Sequence, residues 1–237
     1  MKKLLVSLLM SGCLYGVAAF ADAAAAQPVQ SSSPAATQRA SKDWTFFQIG
    51  FWFDVPSYTK NSNVYGIKTG QPISSGHGNV CGLEASWLAA GTDYIRGAQG
   101  SWVSCFNKEM DGVMASLAYT QNDVRMNGVQ ASGVNLSGDV IGLQASAVNV
   151  SGNVKGVQPA AGVNYSGNVS GVQLAVVTNI SDNVTGFQSS LINSAANVRG
   201  MQFGLINMAK GKSFQMGLLN YIDGAAIPML PLVNFKF

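Results

Sequence analysis

Residues 128–141 read GVQASGVNLSGDVI, and residues 142–155 read GLQASAVNVSGNVK. The two lines share Gly, Gln, Ala-Ser, Val, Asn, Ser-Gly and Val in the same slots. Working outward, further units open at Gly82, Gly97, Gly112, Gly156, Gly171, Gly186 and Gly200, at intervals of 14 to 16 residues. Weaker copies flank them at Gly66 (NVYGIKTGQPIS) and Phe214 (FQMGLLNYI), and FFQIGFW, from Phe46, reads as one more. About twelve units fill residues 44–237. Self-similarity over that length predicts one repeat architecture rather than several domains.

Three slots carry the physics. Gln130, Gln144, Gln158, Gln173, Gln188, Gln202 and Gln215 share one, and Asn135, Asn149, Asn164, Asn179, Asn193, Asn207 and Asn220 share another. Val140, Val154, Val169, Val184 and Val198 each stand two residues before an opening glycine. Between Asn and Val lie LSGD, VSGN, YSGN and ISDN, made of turn formers. Each unit therefore reads as a strand of about ten residues and a turn of three or four. Recurrent glycine and β-branched valine argue against helix. The fold class expected is all-β.

Two β architectures use such a unit. In a closed antiparallel barrel each unit is one strand and one turn, long enough to cross a membrane. In a narrow β-solenoid each unit is a full coil, with equal Gln and Asn side chains stacked in ladders. GMQFGLINM favours the barrel: Met201, Phe203 and Leu205 share one parity, with Gly200, Gln202 and Gly204 on the other. In the ending MLPLVNFKF, Met229, Pro231, Val233, Phe235 and Phe237 also share parity, like the terminal strand of an outer-membrane barrel. Against it, Val129, Ala131, Gly133, Leu143, Ala145 and Ala147 offer little to lipid, and the extra residue in QPAAGVN suits a coil corner. The expectation is a closed barrel-like sheet, with the narrow solenoid as the alternative.

Composition and targeting set the location expected. Only 11% of the 237 residues are charged, against 47% hydrophobic. MKKLLVSLLMSGCLYGVAAFADA (1–23) has the basic start, apolar run and Ala21-Asp22-Ala23 site of a secretory signal. LMSGC also resembles a lipobox, which would place a lipid anchor on Cys13. Residues 24–43, rich in Ala, Ser, Pro and Gln, read as a disordered tether. Beyond the leader, 12 basic and 10 acidic residues leave a charge of +2, scattered rather than clustered, which excludes a nucleic-acid partner.

The closest copies, GMQFGLINMAK and FQMGLLNYI, together with the ending LPLVNFKF, resemble a bacterial envelope family of surface-repeat proteins. Its units take the form G-Φ-Q-Φ-G-Φ-Φ-N, with Φ apolar, and several members look like lipoproteins. The resemblance spans residues 44–237 and implies the cell surface or outer membrane. It brings no catalytic residues.

Searching for chemistry yields little. His77, the only histidine, sits in the loop-like SSGHGN, and Glu109 and Asp111 in NKEMDG read as a solvated turn rather than an acid–base pair. Asp93, Asp123, Asp139 and Asp182 fall near turns, where a short acceptor caps the backbone. Cys81 and Cys105 permit one disulfide, or two small apolar side chains in a sheet. With one histidine they cannot complete a four-ligand zinc site. Trp44, Trp52, Trp87 and Trp102 all lie in the N-terminal half, as core, interface belt or binding patch. No residue is nominated as catalytic, cofactor-binding or metal-ligating. The expected function is non-enzymatic: an envelope protein with a structural or interaction role, or else a solenoid that binds a regular ligand such as polysaccharide, or a small pore.

Overall fold

The structure, a computed structural model, describes residues 44–53 and 55–236. The leader, Cys13 and the tether lie outside the described residues. The strands are β1 (Trp44–Gly50), β2 (Asn63–Gly70), β3 (Ile73–Ser86), β4 (Ala89–Ser101), β5 (Ser104–Ser116) and β6 (Tyr119–Ala131). They continue as β7 (Val134–Ala175), β8 (Thr178–Ser189), β9 (Ile192–Phe203), β10 (Ile206–Lys210), β11 (Ser213–Asp223) and β12 (Met229–Phe235). Pairing is parallel from β1 to β11, and only β12 runs antiparallel, on β11.

The register settles the architecture. Gly66 lies beside Gly82, Gly82 beside Gly97, and the pairing runs through Gly112 and Gly128 to Gly142. It resumes from Gly171 through Gly186 to Gly200. A residue meets its own equivalent one unit later, which only a coil of one unit per turn allows. The chain is a β-solenoid of about twelve turns, each rising about 4.8 Å. The expected closed antiparallel barrel is therefore corrected. Equal side chains in parallel register satisfy one another, whereas antiparallel neighbours would bring unlike slots together.

Each turn has two layers and two corners. The Val64, Val80, Ile95, Met110, Met126, Val140, Val154, Val169, Val184 and Val198 column is buried along the axis. One corner is the Ser-Gly-Asn turn read from sequence. The other lies between the Gln and Asn slots, where the expected ten-residue strand bends at tips such as Trp87-Leu88, Trp102-Val103 and Leu191. The extra residue of QPAAGVN is taken up at this second corner, around Ala161, as a coil allows.

Opening glycines form a column because the backbone leaves no alternative. At Gly171 φ is +143°, and a Cβ would stand 2.0 Å from the carbonyl oxygen of Gly156 in the turn below. An L side chain fails there on conformation and on space. Met229–Phe235 forms the antiparallel cap: Asn234 is buried, while Met229, Leu232, Val233 and Phe235 are exposed.

Candidate functional site: two ladders and two unlike edges

The polar slots point inward and saturate one another. In the Gln column each Nε2 donates to the Oε1 of the preceding turn: Gln158 to Gln144 at 2.8 Å, Gln173 to Gln158 at 2.8 Å, Gln188 to Gln173 at 2.7 Å. The Oε1 of Gln158 and of Gln173 also accepts from Ser166 and Ser181, each at 2.8 Å, which fixes the orientation of both amides. In the Asn column each Nδ2 donates forward: Asn149 to Asn164, Asn164 to Asn179 and Asn193 to Asn207, all at 2.9 Å. The same Nδ2 atoms reach the backbone of the following turn, Asn164 to Leu174 O at 2.9 Å and Asn193 to Phe203 O at 2.7 Å. From Gln144 to Gln202 the buried amides thus meet one another inside the coil, whereas the oxygens of Gln48, Asn122 and Gln215, nearer the ends of the ladders, have no partner.

The first turns replace that ladder with charge. Lys68 and Glu84 occupy the Gln slot and are fully buried. Lys68 Nζ donates to Ser75 O and Thr92 Oγ1, each at 2.7 Å, and lies 3.8 Å from Glu84 Oε1. Glu84 accepts from Ser74 Oγ and from Thr92 Oγ1 through Oε1, and from Gln99 Nε2 at 2.9 Å through Oε2. Met114 takes the slot two turns on, where Asn107 bridges by donating to Gln99 Oε1 at 2.9 Å. The sequence reading missed these two charges. Their offset of two from Gly66 and Gly82 is the signal that marks them.

The residues singled out for chemistry scatter over the surface. His77 lies on β3 rather than in a loop, exposed, with Nδ1 3.2 Å from Asp93 Oδ2. Asp93 also accepts from Lys108 Nζ at 2.7 Å, and that bond raises the lysine pKa above its ordinary value. Glu109 and Asp111 lie on β5 and both approach Arg125, at 3.5 and 3.9 Å. Asp123 accepts from the Gln121 side chain rather than from backbone, while Asp139 accepts from both the side chain and the backbone N–H of Asn153, one turn on. No cluster of three or more metal-ligating side chains occurs among the described residues. Cys81 and Cys105 are not joined: Cys81 is on the outer face, whereas Cys105 is buried in line with the Asn column. Burial pushes the Cys105 thiol up to about 11.

What the coil does build is a sharp division of its exterior. At the polar corner, exposed Asn153, Asn168, Asn183 and Asn197 form a third ladder, with bonds of 2.6 to 2.8 Å, continued by Asp139. Charges gather there and just after it: Asp93, Arg96, Lys108, Glu109, Asp111, Asp123, Arg125, Asp139, Lys155, Asp182 and Arg199 fall between a turn's Ser slot and the next opening glycine, and Lys210, Lys212 and Asp223 take the equivalent stretches of the last turns. From Gly82 to Ile222, the remaining stretches around the second corner hold one charge, the buried Glu84. That corner carries Trp87 (71% exposed), Trp102 (65%), Leu117 (69%), Val176, Leu191, Leu205 and Leu218 at its tips. Periodic placement thus produces one charged edge and one uncharged, apolar edge.

Neither a family model, a curated protein nor a solved structure matches this chain.

Proposed function

We propose that this chain is a non-enzymatic, exported repeat protein of the bacterial envelope, held at the outer membrane or cell surface, where it acts as a rigid interaction scaffold. The basic, apolar leader and the likeness to surface-repeat proteins support the location. The observation that carries the interaction role is the uncharged edge, along which apolar tips recur from Trp87 to Leu218. Contiguous apolar surface on that scale marks a contact face. The buried amides are spent on the coil itself, so they support no reaction centre, and they fill the axis that a pore would need.

Expression of the full chain in a Gram-negative host, followed by fractionation, tests this. Recovery in the envelope fraction, released by detergent and not by salt, is expected. Cytoplasmic retention would refute the export reading, and free release from the periplasm would refute the envelope reading. Radiolabelled fatty acid on wild type and on Cys13→Ser separates a lipid anchor from simple signal cleavage.

The exposed Asn row favours a second reading, recognition of a regular polysaccharide, because its amides repeat at each turn of the coil. Co-sedimentation with insoluble glucans and chitin, lost on Asn168→Ala with Asn183→Ala, would establish that reading over the first.

A further inference from the structure

Two buried charges of opposite sign stand in a column that amides hold elsewhere. Lys68 and Glu84 are register partners on β2 and β3, one turn apart, and are 1% and 0% exposed. From Gln144 to Gln215 the same slot ties each turn to the one before through an amide N–H on an amide oxygen. At Lys68 and Glu84 the parts of an amide are present but not joined: an amine nitrogen from one turn and a carboxyl carbon from the next.

We propose that Lys68 and Glu84 condense into a side-chain amide, a covalent cross-link that staples the second turn of the coil to the third. The Lys68 ammonium hands one proton to Glu84 Oε1, which leaves an amine beside a neutral acid. Nζ then adds to Cδ, the N–C bond forms, the Cδ–Oε1 bond breaks, and Oε1 departs as water with a second proton from the nitrogen. Ammonium and carboxylate thus become amide and water, and no oxidant, metal or further reactant is consumed.

The neighbours are placed for each step. Thr92 Oγ1 accepts from Nζ and donates to Oε1, both at 2.7 Å, so protons leaving the nitrogen have a direct path to the oxygen that departs. Ser74 Oγ donates to that same oxygen. Gln99 Nε2 donates to Oε2 at 2.9 Å, where negative charge grows as the nitrogen adds. Ser75 O restrains Nζ at 2.7 Å. Nζ lies 3.8 Å from Oε1, and rotation about the last carbon–carbon bonds of Lys68 carries it towards Cδ.

Energetics point the same way. A buried ion pair carries the desolvation cost of two charges, and condensation removes both. Held in one site, the two groups act at an effective concentration of about 100,000 M or more, which offsets the preference of water for the hydrolysed form. The product also suits the column. Oε2 becomes an amide oxygen that already accepts from Gln99 one turn on, as Gln158 and Gln173 accept from theirs.

Tryptic digestion of the purified full chain, unfolded and reduced, followed by mass spectrometry tests this. Trypsin should not cut after Lys68, so residues 61–96 should appear as one peptide, lighter by one water, whose fragments place the link between Lys68 and Glu84. Lys68→Arg keeps the charge but offers no amine that condenses, and should release residues 61–68 and 69–96 separately. In pulse-labelled cells the linked peptide should accumulate at least tenfold more slowly in Thr92→Val, which keeps the shape and removes the hydroxyl. Separate 61–68 and 69–96 peptides from wild type overturn the proposal, as does a lost water that maps to any other pair of residues. Equal rates in wild type and Thr92→Val would overturn the proton path through Thr92.

Discussion

Replacing Gly171 with alanine tests the close approach of neighbouring turns. The new Cβ would stand 2.0 Å from Gly156 O, and the residue would be held at φ +143°. Strain in that region costs about 1–3 kcal/mol for an L residue. Relieving the clash means opening the two turns by roughly 1 Å, which takes bonds of 2.8 to 2.9 Å beyond hydrogen-bonding range. Losing about two of these adds about 2 kcal/mol. The total is about 3–5 kcal/mol. Urea unfolding followed by far-ultraviolet circular dichroism measures it. Because each turn contacts only its neighbours, one weak junction should also split the transition into two steps. The control is Gly100→Ala, where the nearest atom to a new Cβ is Ala115 O at 3.9 Å and the cost should stay within about 0.5 kcal/mol. If Gly171→Ala unfolds at the same urea concentration as Gly100→Ala, the close-approach account of the glycine column is wrong.

Three further outcomes follow from the interior. Gln173→Leu removes one bond on each side, leaving Gln158 Oε1 with Ser166 and Gln188 Nε2 with a 3.4 Å contact to Ser181, so a loss of about 1–3 kcal/mol is expected in the same assay. Lys68→Gln or Glu84→Gln alone leaves a buried unpaired charge and should cost about 3–5 kcal/mol, while the double substitution restores an all-amide ladder and should recover most of it. Cys105 should resist a thiol reagent in the folded coil and react on unfolding, while Cys81 reacts in both states. Since folding raises the Cys105 pKa from 9.0 to about 11, its contribution is intact below pH 9 and is lost as pH climbs towards 11. Constant stability across that range, after correction for the other titrating groups, would contradict the burial of this thiol.

Much of the fold was legible, and the failures have a physical cause. Repeat length, all-β character, the shared Gln, Asn and Val slots and the Ser-Gly-Asn corner all followed from residue types. The second corner did not, because Trp87-Leu88, Val176-Val177 and Leu191-Ile192 carry none of the usual turn residues. An apolar corner resembles strand continuation, and it made one coil look like one membrane-crossing strand. Met201 and Phe203 do alternate with Gln202 as a barrel wall would, since either sheet faces solvent on one side. The apolar edge was hidden for the same reason: which residues share an exterior face depends on where the chain bends. Lys68 and Glu84 were readable by register, but the degenerate first units obscured it.

The two amide ladders run in opposite senses, the Gln column donating backward and the Asn column forward. Each is a file of aligned dipoles that polarise one another, yet side by side they cancel. An α-helix accumulates partial charge at its ends because its peptide dipoles all add. This coil can lengthen by whole turns without its two buried ladders building up such a voltage, since the one unmatched row, the exposed Asn ladder, lies in water that screens it.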